Sequence, residues 1–70
     1  MPWWIAVRDH DAGKPLSVSD VTPKSLESEF ATARKQYPPP RYEVVLGMAD
    51  NLEAFLKAYP RFAGAKGAAQ

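Results

Sequence analysis

The chain contains no cysteine, which excludes a disulfide staple, a thiolate zinc site and a cysteine nucleophile together. Histidine is nearly absent too: His10 stands alone, so imidazoles cannot complete a transition-metal set. No apolar run approaches the ~20 residues that span a bilayer, and Arg8 and Asp9 stand where the apolar stretch of a signal peptide would continue. The four glycines, Gly13, Gly47, Gly64 and Gly67, have neither the spacing nor the strand-to-helix setting of a phosphate loop. Ser17, Ser19, Ser25 and Ser28 form no recognisable nucleophile motif with His10. These absences point to a cytoplasmic protein without catalytic residues, metal, cofactor or membrane association.

An excess of one charge sign is also missing. The net charge is +1, yet residues 1–60 carry seven Lys or Arg against eight Asp or Glu; Arg61 and Lys66 supply the positive remainder. A near-neutral body disfavours nucleic-acid binding through a broad basic face, because phosphate neutralisation needs clustered positive charge.

What is present is a globular composition, 46% hydrophobic over 70 residues. A chain of this length buries only about 60% of its unfolded surface, so it makes one domain with a thin core. Trp3 to Arg8 alternates as a strand, with Trp3, Ile5 and Val7 on one side and Trp4, Ala6 and Arg8 on the other. His10 to Lys14 has reverse-turn chemistry, with Gly13 suited to positive φ. A second strand from Pro15, a residue tolerated at a sheet edge, completes a hairpin. Two registers compete. A three-residue loop with Gly13 in a bulge pairs Ala6 with Val18 and puts Trp4 on the aliphatic face. A two- or four-residue loop pairs Val7 with Val18 and buries Trp3, Ile5 and Val7, the larger apolar area; this second register is the one expected.

Thr22-Pro23 reads as a helix start, and Leu26, Phe30, Ala33 and Tyr37 follow as one apolar stripe. Pro38-Pro39-Pro40 ends that helix and forms a stiff connector. Arg41 to Met48 is a third strand, with Tyr42, Val44, Leu46 and Met48 opposite Glu43, Val45 and Gly47. Asp50-Asn51-Leu52-Glu53 opens a second helix with the stripe Leu52, Phe55, Leu56 and Tyr59, closed by Pro60. The order β-β-α-β-α, with a right-handed crossover, gives an α+β two-layer sandwich: a three-stranded, mainly antiparallel sheet in order 2-1-3 with both helices on one face. If the hairpin fails, β-α-β-α with parallel first and third strands remains. Residues 1–62 form the domain, and the Ala/Gly-rich 63–70 is expected to be a disordered tail.

With both helices on one face, the other face lies open and carries Trp4, Arg8, Val45 and Glu43. An exposed indole beside Val45 is an apolar patch of the kind that marks an interface. The expected function is therefore a non-enzymatic protein-interaction module, binding a protein partner or a second copy of itself through that face. Two alternatives belong to other classes. Trp4 with Arg8 on an open sheet is a minimal platform for stacking single-stranded nucleic acid. The chain also resembles the small tautomerases in Pro2, in its length and in a β-α-β core. That resemblance implies Pro2 as an amino-terminal base once Met1 is removed, with Arg8 or Arg41 holding a substrate carboxylate. Asp9-His10-Asp11 reads as turn polarity, since consecutive residues around a turn rarely converge on one ion.

Overall fold

The computed structural model describes residues 2–64. From residue 65 onward the expected disordered tail lies outside the described residues. Strands β1 (Trp3–Asp9) and β2 (Lys14–Val21) form a hairpin; helix α1 (Leu26–Gln36) leads to β3 (Tyr42–Met48), helix α2 (Leu52–Ala58) and a 3-10 turn (Pro60–Phe62). The sheet is antiparallel throughout in the order β2-β1-β3, so the most buried strand is central.

The hairpin settles which residues face which way. Asp9 pairs with Lys14, and Gly13, at φ +68°, returns its N–H to the Asp9 carbonyl (2.8 Å). Counting from that turn, a regular ladder would set Ile5 against Val18. A β-bulge intervenes: Val7 pairs with Ser17 and Arg8 with Pro15, leaving Leu16 as the extra residue. That slip of one residue moves Val18 to the opposite face, where it pairs with Ala6. The expected Val7–Val18 register is therefore corrected. Pro15, which has no N–H to give to the ladder, sits at the irregularity.

The placement of the helices on a single face is corrected as well. Face one of the sheet carries Trp3, Ile5 and Val7 and is overlain by α1, whose Glu29, Ala33 and Tyr37 line a groove with Ile5 and Val7. Face two carries Trp4, Ala6, Val18, Val45 and Gly47, and α2 with the 3-10 turn covers it. Phe55 and Phe62 are fully buried there with Ala6, Val18 and Ala49. Gly47 admits this close approach, because a Cβ would lie 3.1 Å from the Tyr59 ring and 3.2 Å from that of Phe55. The physical reason is the central strand itself: apolar on both sides, it needs a roof on both.

Local signals account for the helix ends. The Asn51 side chain accepts from the Ala54 N–H (2.8 Å) and starts α2. Thr22 to Ser25 forms a turn, tied by the Ser25 N–H to the Thr22 carbonyl (3.1 Å), so the N-cap of α1 is Ser25, three residues beyond the expected Thr22. Glu27 and Glu29 near the start of α1, and Arg34 and Lys35 near its end, suit the helix dipole.

The two roofs differ in weight. Face two holds the fully buried phenylalanines, whereas no residue of α1 is buried. Phe55→Ala should cost about 3–5 kcal/mol, close to the whole stability of so small a domain. Phe30→Ala, at a half-buried position, should cost no more than about 1–2 kcal/mol. Urea unfolding of the two variants checks the ordering.

Candidate functional site

Trp4, Arg8, Val45 and Glu43 do share one sheet face, since Arg8 pairs with Glu43 and Ala6 with Val45. That face is the one beneath α2. Trp4 is half-buried, donates from Nε1 to the Ala49 carbonyl (3.0 Å) and packs its ring 6.1 Å from that of Phe55. Val45 packs against the same cluster. Arg8 donates to His10 Nδ1 (3.1 Å). Glu43 accepts a bidentate pair from Arg61, Nε at 3.0 Å and Nη2 at 2.9 Å, and this guanidinium holds its carboxyl below the usual range. Each of the four is thus engaged within the chain. The two adjacent indoles lie on opposite sheet faces, Trp4 packed beneath α2 and Trp3, half-buried, on the face that α1 overlies.

Pro2 is exposed, and its carbonyl accepts from the Ala49 N–H (3.1 Å). Arg8 stands six residues further along the same strand, ~20 Å away at strand rise, and Arg41 lies beside His10 at the same far end. The base and the arginines implied by the tautomerase resemblance are therefore at opposite ends of β1.

The turn cluster is a structural clasp. Asp9 is buried; its Oδ1 accepts from the N–H groups of Asp11 (3.0 Å) and Ala12 (3.2 Å), and its Oδ2 from Arg41 Nη2 (3.3 Å). Arg41 and the two backbone donors hold this carboxyl below its ordinary value, against the opposing effect of burial. Reciprocally, Asp9 keeps Arg41 more firmly protonated. Among the described residues no group of three or more His, Asp or Glu is placed to hold a metal ion. No helix among them is long and apolar enough to cross a membrane.

Comparison with known proteins gives no match to any family model, curated protein or solved structure.

The two sheet edges differ in what they present to solvent. The β2 edge is guarded: Lys14, Pro15, the bulge at Leu16 and Asp20 all discourage pairing. The β3 edge, Tyr-Glu-Val-Val-Leu-Gly-Met, has no proline, no lysine and no bulge. Its ladder phase is fixed by the bonds from His10 N–H to the Arg41 carbonyl and from Ala49 N–H to the Pro2 carbonyl. By alternation Glu43, Val45 and Gly47 bond inward to β1, while Val44, Leu46 and Met48 turn N–H and C=O outward. Met48 is also the one large apolar side chain exposed among the described residues, at 47%. Beside this edge, Phe30, Arg34, Tyr37, Pro39, Tyr42 and Val44 enclose an open groove of about 190 Å3. Sequence reasoning missed the edge although strand order 2-1-3 and the unguarded composition of β3 both signal it; Arg61 was missed because it follows the helix-closing Pro60.

The clasp makes a pH prediction. A carboxyl with a depressed folded value contributes stability above its unfolded pKa of about 4 and loses that contribution as pH falls through the folded value. The thermal midpoint should fall as the solution is acidified below about pH 4. In Asp9→Asn, which keeps an Oδ1 acceptor for the Asp11 and Ala12 amides, that acid-side fall should be shallower.

Proposed function

We propose that this chain is a small non-enzymatic protein-interaction module, acting in the cytoplasm, whose contact is the open β3 edge. The observation that carries this reading is the outward backbone of Val44, Leu46 and Met48, flanked by apolar side chains and without the lysine, proline or bulge that protect β2. An edge of this kind recognises an extended strand: main-chain hydrogen bonds supply affinity and alternate side-chain positions supply selectivity. The interaction surface expected from the sequence thus moves from the Trp4 face to the strand beside it, because Trp4, Val45 and Glu43 are occupied by α2, the buried phenylalanines and Arg61. The same occupation weakens the nucleic-acid alternative, which needs the Trp4 ring free for stacking. Rigidity supports the reading as well. Arg41–Asp9 pins the start of β3 to the hairpin turn, and Glu43–Arg61 pins its inner face to the 3-10 turn, so little ordering remains to oppose binding.

The test is addition of a synthetic strand. A peptide spanning residues 41–49, titrated into isotopically labelled chain, should shift and protect the amides of Val44, Leu46 and Met48 while leaving the β2 amides unchanged. Val44→Pro should abolish this. It removes an outward N–H that β1 does not use, so far-UV circular dichroism should stay as in the parent. Unchanged β3 amides, or shifts confined to β2, would refute the edge reading.

A further inference from the structure

We infer that the strand laid along β3 is β3 of a second copy of this chain, related by a two-fold axis through Val45. The inference rests on the edge reading above and names its partner. In an antiparallel pair of identical strands, outward-facing residues must meet outward-facing residues, so the axis passes through a residue and not between two. An axis at Val45 pairs all of Tyr42–Met48 with its copy. Val44 then faces Leu46 of the second copy and exchanges both hydrogen bonds with it. Val45 faces Val45 in a close, non-hydrogen-bonded pair, a favourable β-branched contact.

Three features of the chain fit this register. Glu43 falls opposite Gly47 of the second copy, which has no side chain to meet it, so the two acidic groups stay apart. Asp50, exposed just past the strand, comes alongside Pro40 and Arg41 of the other copy, and acidic meets basic at both ends. Met48 is carried to Tyr42, at the mouth of the groove formed by Phe30, Arg34, Tyr37 and Pro39. The Pro38 carbonyl already takes the Tyr42 N–H (3.3 Å). The continuous ladder therefore closes over Val44 to Leu46, and Met48 sits beyond it with its thioether free to enter the groove. An exposed unbranched side chain and an unfilled groove thus meet twice, once on each side of the axis. A net charge of +1 offers little repulsion between copies.

The absence of cysteine makes the register testable with a single thiol. Val45→Cys places two sulfurs across the axis at a separation suited to a disulfide, so oxidation should convert the full-length chain to a covalent dimer with unchanged circular dichroism. Glu43→Cys, facing Gly47, should cross-link poorly. Without cross-linking, light scattering on the parent chain should give twice the monomer mass, and Met48→Lys should raise the dissociation constant roughly tenfold or more. A parent that stays monomeric at millimolar concentration overturns the inference; if the peptide of residues 41–49 still protects the β3 amides, the edge reading survives with another partner. A dimer that forms but cross-links at neither position, or survives Val44→Pro unchanged, uses another surface and overturns both the register and the choice of edge.

Discussion

Pleating sends Trp3 and Trp4 to opposite sides of the central strand, and the architecture follows from that one fact. With Ile5 and Val7 behind one indole and Ala6 behind the other, β1 has no polar face to offer to water. Each side needs its own cover, and the chain has two short helices with which to provide it. The result is two thin cores back to back instead of one thicker core. Face two receives the greater share, with Phe55, Phe62 and the Trp4 ring closing over Ala6 and Val18. Face one receives a helix whose residues all keep some exposure, with open grooves of about 260 and 190 Å3 on its two flanks.

Those parts of the fold that depend on local chemistry were legible. Strand alternation, the Asn51 cap, the proline stop after Tyr37 and the handedness of the crossover suffice for the element order and for 2-1-3. The register was not legible, because Gly13 and Pro15 are compatible with several loops and only the tertiary environment of Val18 chooses between them. Burying Val18 beneath Phe62 is worth a bulge; no hairpin considered alone can show that. The single-sided roof failed for a related reason: counting apolar area on one face of β1 ignores the cost of leaving the other uncovered. Phe62 completes the second roof from beyond Pro60, a residue that marks the end of α2 but not of the core.

The candidate site was half legible. That Trp4, Arg8, Glu43 and Val45 share a face follows from strand parity, and they do. Whether a shared face is an available face depends on what covers it, and this is a long-range property. By contrast the β3 edge can be read from the one-dimensional sequence, since an edge position in 2-1-3 and an apolar strand without lysine or proline are both visible there. What could not be read is the groove under α1 and the exposure of Met48, which depend on how far the helix reaches across the sheet.

The contrast between the two edges bears on the kind of assembly proposed for the chain. Were β2 as open as β3, each added copy would present a fresh edge, and pairing would continue as a head-to-tail stack. Lys14, Pro15, the Leu16 bulge and Asp20 close that route. Only β3 remains, and an interface that uses the same strand from both partners consumes the open edge of each. The proposed association through β3 would therefore stop at two copies. On that proposal the guards on β2 matter as much as the bare backbone of β3, because they limit pairing to one edge.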